Sequence, residues 1–112
     1  MKCALVVPSW RHMDTHMDAL VSTIAGLWPP TEIMYLASSL IREGHEVIIL
    51  DGALLTEEKI IKGLKEHNPR FIGISSVYPL WGKAKDFAIK LRALFPESFL
   101  AVGGQAPTYL KE

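Results

Sequence analysis

Phe71-Ile72-Gly73-Ile74-Ser75-Ser76-Val77-Tyr78-Pro79-Leu80-Trp81 decides how the rest of the chain is read. It opens as a nearly unbroken apolar run, ends in two small hydroxyl residues, and turns through an aromatic, proline-bearing loop into a helical pattern. A buried parallel strand delivers a ligand-facing loop in this way. The design recurs at Phe99-Leu100-Ala101-Val102-Gly103-Gly104, where an apolar strand stops at a glycine pair whose bare backbone a ligand can approach closely. Two strands ending side by side in small residues make a floor for something broad and flat.

Working outward, Cys3-Ala4-Leu5-Val6-Val7 reads as a first strand closed by Pro8, and Glu46-Val47-Ile48-Ile49-Leu50-Asp51 as a second that stops at Asp51-Gly52. The connection over residues 9–30 is long for a compact domain, which points to function, and Leu20, Val21, Ile24 and Leu27 predict a short helix or lid within it. A helix is predicted from Pro30 or Thr31 to Gly44, with Ile33, Leu36, Ala37, Leu40 and Ile41 on its apolar face. Thr56 caps another, with Glu57 and Glu58 in the positive first turn and Ile60, Ile61 and Leu64 inward, broken at Asn68-Pro69. Residues 82–95 repeat the template with Ala84, Phe87, Ala88, Leu91 and Leu94 inward, and Pro96 ends that helix.

Alternating strands and helices with unbroken apolar strands imply an α/β fold: a parallel sheet covered on both faces and wound by right-handed crossovers. The expected topology is a flavodoxin-like (Rossmann-like) doubly wound sheet of order 2-1-3-4. A fifth strand is expected outside this stretch, so that residues 1–112 form one domain of a longer protein. Ligands of such sheets sit outside the carboxyl ends of the strands. The residues found there are Pro8, Ser9 and Trp10, then Asp51, then Ser75, Ser76, Val77 and Tyr78, and lastly Gly103, Gly104 and Gln105.

Composition narrows the ligand. Of 112 residues, 49% are hydrophobic, which supports one real core, and twelve basic against twelve acidic side chains leave no net field for nucleic acid or an anionic membrane. No apolar run approaches the ~20 residues of a membrane span, and no signal-peptide core precedes Pro8, so a cytoplasmic location is expected. A lone cysteine excludes an internal disulfide, and Cys3 reads as a buried thiol.

Motif requirements narrow it further. Val7-Pro8-Ser9-Trp10-Arg11 offers no glycine where a dinucleotide site needs G-x-G-x-x-G, and a P-loop is equally absent. The first and third strands end in Pro8-Ser9 and Ser75-Ser76, not in the clustered carboxylates of a phosphoacceptor domain. Ser75 and Ser76 have no paired His and carboxylate, so no catalytic constellation is expected.

Several segments taken together resemble a known family. They are Leu5-Val6-Val7-Pro8, the run from Trp28-Pro29-Pro30-Thr31-Glu32 to Leu40, Gly44-His45-Glu46-Val47 with Asp51, Ile72-Gly73-Ile74-Ser75-Ser76, and Val102-Gly103-Gly104-Gln105-Ala106-Pro107-Thr108. In this order and spacing they resemble the cobalamin-binding domain N-terminal to radical SAM domains. Enzymes of the anaerobic magnesium-protoporphyrin monomethyl ester cyclase group and cobalamin-dependent methyltransferases are the nearest in pattern.

The resemblance implies cobalamin as cofactor, a radical SAM domain of the same polypeptide as partner, and an iron–sulfur cluster and S-adenosylmethionine held in that other domain. Gly73, Ser75, Gly103 and Gly104 lack bulk along adjacent strand ends, so the cofactor's nucleotide tail can slide between sheet and helix there, with Trp10, Tyr78, Leu80 and Trp81 over a corrin face. Asp14-Thr15-His16-Met17-Asp18-Ala19 partly matches the D-x-H-x-x-G motif of cobalamin methyltransferase domains, but Ala19 replaces the glycine and the segment lies further from the strand than that motif should. His16 is thus a candidate cobalt ligand, while base-off binding with no protein histidine on cobalt is the leading expectation. His12, Asp14 and His16 also have spacing for a metal, and His45 and His67, near helix ends, read as solvated. A structural or protein-interaction domain of the same fold, without cofactor, is the alternative.

Overall fold

A computed structural model describes residues 1–9, 31–76 and 81–104. In chain order these form β1 (Lys2–Val7), α1 (Thr31–Arg42), β2 (Glu46–Asp51), α2 (Glu57–His67), β3 (Phe71–Ser76), α3 (Trp81–Leu94) and β4 (Phe99–Gly104). The strands make one parallel sheet in the order β2-β1-β3-β4, as the alternation of apolar strands and amphipathic helices predicts. The predicted helix among residues 18–27 lies outside the described residues.

Local chemistry fixes the element ends. Gly44, at φ +89°, closes α1, and the amides of Gly44 and His45 donate to the carbonyls of Ile41 and Leu40. Thr56 Oγ1 accepts from the Lys59 amide at 3.3 Å at the start of α2. Asn68 takes the left-handed conformation at its end and donates its amide to Leu64 O at 2.8 Å before Pro69 breaks the path. Thr56→Ala is expected to lower stability by about 1 kcal/mol, read as a shift in the urea midpoint at constant slope.

The two faces of the sheet are unlike. On one, Ala4, Val6, Ile72 and Ile74 meet Ile60 and Leu64 of α2 and Ala84, Phe87 and Leu91 of α3 in a single buried cluster. Each of the buried Val, Ile and Leu side chains there contributes roughly 2 kcal/mol. On the other, α1 packs Ile33 and Ala37 against Leu5, flanked by Val7, Leu40, Val47 and Phe71. Among the described residues α1 is the helix on that side. Among the described residues that side of the sheet is covered by α1 over β1 and β2. Over β3 and β4, Phe99 is 67% exposed and stacks on Phe71 at 5.9 Å between ring centroids.

Three apolar positions expected inward are exposed: Leu36, Ile41 and Leu94. Ile33, Ala37 and Leu40 form the stripe by which α1 touches the sheet, and Leu36 and Ile41 flank it on opposite sides. Leu94 falls in the last turn of α3, beyond the buried stripe of Ala84, Phe87 and Leu91. His45 and His67 are not the solvated residues expected. Both are half-buried, His67 Nε2 lies 3.1 Å from Cys3 O, tying the end of α2 to β1, and His45 Nδ1 lies 3.2 Å from the terminal amine. Cys3 is fully buried and free, as expected. No described helix is long and apolar enough to cross a membrane.

Candidate functional site

The carboxyl ends of all four strands gather on one edge, and strand register decides which small residues become neighbours. Ser75 pairs with Gly103 and Ser76 with Gly104, so the two stretches singled out by sequence do end side by side. Side chains alternate between faces, so Phe71, Gly73 and Ser75 share one face with Phe99, Ala101 and Gly103. Along that face bulk falls toward the edge, from two phenylalanines through Gly73 and Ala101 to Ser75 and Gly103. With α1 as the far wall, the ramp becomes a groove of about 340 Å³ lined by Leu5, Leu36, Leu40, Phe71, Ala101 and the small residues themselves.

Gly73 does not leave its own space empty. Leu5, its partner across the β1–β3 ladder, lies over it: a Cβ at Gly73 would come within 2.9 Å of Leu5 Cδ2 and 3.3 Å of Phe71 Cε1. Gly103 is different, with no heavy atom of the described residues within 4 Å of an added Cβ. The open volume therefore runs along β4, and Leu5 forms part of the floor.

Two other glycines hold the edge together. A Cβ at Gly104, whose φ is +106°, would collide with the backbone carbonyl of Ser76, and one at Gly52 would collide with the backbone of Pro8 and Ser9. Gly52 also donates its amide to Val7 O at 2.8 Å, and Asp51 Oδ1 accepts from the Ala53 amide at 2.9 Å, so the Asp51 carboxylate shapes its own turn.

The residues expected to act together divide into groups. Gly73, Ser75, Gly103 and Gly104 line the groove. Pro8 and Ser9 line a separate cavity of about 270 Å³ on the opposite side of the sheet, with Glu57 of α2 and Lys83, Asp86, Phe87 and Lys90 of α3. Lys90 Nζ donates to Glu57 Oε2 at 2.8 Å across it, a half-exposed pair worth little to stability. Asp51 and Ser76 line neither space. Trp10, Val77, Tyr78 and Gln105 lie outside the described residues, as do His12, Asp14, His16 and Leu80. Trp81, the first residue of α3, packs against the core cluster and carries Lys85 Nζ 5.5 Å from its ring centroid.

Ser76 is 2% exposed, and its Oγ has no hydrogen-bond partner among the described residues. A buried hydroxyl left so costs about 1–3 kcal/mol. Leu5, Leu36, Leu40, Phe71 and Ala101 escaped the sequence reading of the site. The signal for Phe71 and Ala101 was the two-residue alternation along β3 and β4, which continuous apolar composition conceals in a parallel strand.

The groove suits the cofactor implied by the sequence. Among the described residues its depth is lined by apolar side chains and its carboxyl-edge end by the small residues Ser75, Gly103 and Gly104. Comparison with known proteins agrees. The B12 binding domain family matches residues 17–112. An uncharacterized methyltransferase of Pyrococcus horikoshii is 30% identical over 114 residues, covering 100% of this chain and 23% of that protein, so the chain spans about a quarter of the relative's length. No solved structure gives a significant match. With a sheet of order 2-1-3-4, a groove at its carboxyl edge and this match over most of its length, the chain belongs to the B12 binding domain family, whose cofactor is cobalamin.

Proposed function

We propose that the domain holds cobalamin base-off, with no protein histidine on cobalt, for a radical SAM domain of the same polypeptide that carries the iron–sulfur cluster and S-adenosylmethionine. Methyl transfer or tetrapyrrole ring cyclisation is the activity of the whole protein in this reading. Its main support is the groove between α1 and the β3–β4 ends, which gives the nucleotide tail a place away from the metal.

Gly73, Ser75, Gly103 and Gly104 would line the tail, with the Ser75 hydroxyl and backbone N–H groups meeting ribose and phosphate. When bound, cobalamin supplies a cobalt that transfers methyl groups or electrons, and the protein's contribution is to bind and orient it. Ala19, where D-x-H-x-x-G has glycine, disfavours His16 as a ligand. The single cysteine cannot hold a cluster. A relative four times as long, named a methyltransferase, supports a further domain beside this one.

Hydroxocobalamin mixed with the purified chain is expected to shift its visible spectrum and stay with the protein through desalting. No uptake overturns the cofactor reading. His16→Ala is expected to bind with the same spectrum, and a changed cobalt spectrum in that variant would restore the axial histidine.

A further inference from the structure

We propose that the outward face of α1 is a docking surface for the domain of the same polypeptide that works at the cobalt, with Met34 and Tyr35 as its central contacts. This rests on the reading above that a further domain accompanies this one. The helices present unlike surfaces. Every exposed residue of α2 is charged: Glu58, Lys59, Lys62, Lys65 and Glu66. On α1 the exposed side chains include Met34, Tyr35, Leu36 and Ile41, and its only charges are Glu32 and Arg42. Leu36 stands at the groove. On the other flank Met34, Ser38 and Ile41 recur at the i, i+4, i+7 spacing of a second stripe, with Tyr35 and Arg42 alongside. Ser38 and Ser39 donate their hydroxyls to Met34 O and Tyr35 O of the same helix, at 3.0 and 3.2 Å, so those donors are already used within α1.

Methionine, tyrosine and arginine are enriched where proteins meet and lysine and glutamate are depleted, which is the contrast between α1 and α2. Position names the partner. Glu32, in the first turn of α1, lines the groove with Gly103 and Gly104, so α1 begins at the carboxyl edge, where ligands of such sheets sit. Met34 and Tyr35 follow within a turn, and a domain reaching the cobalt meets them. Ile49, two residues beyond Val47 on β2 and so on the same face, is exposed and extends the surface away from the groove. The edge strand β2 ends in Glu46 and Asp51, charges that discourage strand addition, so the contact is made by side chains. The chain spans about a quarter of its relative's length, which leaves ample length for such a domain. The partner that fits is an apolar face about 10 Å long, the span from Met34 to Ile41, with an acceptor for Arg42 at its far end.

The test is hydroxyl-radical labelling, which reads side-chain exposure, of the whole polypeptide beside the 112-residue chain. Labelling of Met34 and Tyr35 is expected to fall on the order of tenfold in the whole polypeptide, as residues at the centre of an interface lose solvent. Ile89, exposed on α3 across the sheet, is expected to label alike in both. Tyr35→Glu combined with Ile41→Lys, both at exposed positions, is expected to restore Met34 labelling in the whole polypeptide while leaving the urea midpoint and cobalamin uptake of the 112-residue chain unchanged. Equal labelling of Met34 in the two unaltered proteins, or continued protection in the double variant, overturns the docking surface and leaves the cofactor reading standing. Protection that appears in the 112-residue chain as its concentration rises assigns the face to a second copy and overturns the proposal. A polypeptide with no further domain overturns both the proposal and the reading on which it rests. Failure of the 112-residue chain to take up hydroxocobalamin overturns the cofactor reading, a result separate from the labelling that decides the surface.

Discussion

Replacing Gly104 by alanine is expected to destabilise the domain by about 3 kcal/mol, from a backbone conformation that side chains avoid and a steric conflict that cannot be relieved locally. Its φ of +106° lies in glycine's territory, and the atom struck by a new Cβ is the carbonyl oxygen of Ser76, held in the β3–β4 ladder by the pairing of Ser76 with Gly104. A flexible side chain could swing away. A ladder carbonyl moves only if the strands part. For a domain of this size the loss corresponds to a fall in the thermal midpoint of roughly 15 °C. Urea denaturation measures it directly, and a midpoint shift equivalent to less than about 0.5 kcal/mol would show that the strand ends are not clamped as described.

The reason Gly104 needed coordinates, while its strand did not, illustrates what this sequence discloses. Strand runs such as Phe71 to Ser76, bounded by Asn68-Pro69 before and a proline-bearing loop after, announce a parallel sheet by composition alone, because both faces of such strands ordinarily lie under helices. The strand order follows from chirality and connection length once the alternation is recognised. The small residues at the strand ends are equally plain. What each glycine is for is not. Gly73, Gly103 and Gly104 look alike in sequence, yet Gly73 makes room for Leu5, Gly103 fronts open space and Gly104 clears a carbonyl. These roles depend on cross-strand register, a long-range property set by which residues of β1 and β4 stand opposite. The same limit hid the groove walls. Leu36 reads as core by helical spacing, and only the position of α1 over β1 and β2 rather than β3 turns it toward the slot. Pro8 and Ser9, grouped by sequence with the other strand ends, stand across the sheet because β1 delivers them to the side of α2 and α3.

Gly103→Leu is expected to do the reverse of the Gly104 substitution, sparing the fold and removing the cofactor. Its φ lies outside the left-handed region and no heavy atom of the described residues comes within 4 Å of an added Cβ, so the fold should change by no more than about 1 kcal/mol, typical of a surface position exchanging glycine for a larger residue. The added isobutyl group enters the open part of the groove beside Ala101 and Ser75. Cobalamin affinity is expected to drop on the order of 100-fold, about 2.7 kcal/mol, since the tail and the new side chain compete for one volume. Cobinamide, lacking the tail, should bind Gly103→Leu within about threefold of the unaltered chain, a margin too small to reflect a lost contact. The comparison separates two roles that adjacent identical residues would otherwise confound. A stable variant with undiminished cobalamin affinity would mean that the tail lies elsewhere, and the small residues of β3 and β4 would then serve only strand pairing. A stable variant that loses cobalamin but keeps cobinamide places the binding energy of the tail along β4, independently of any group on cobalt.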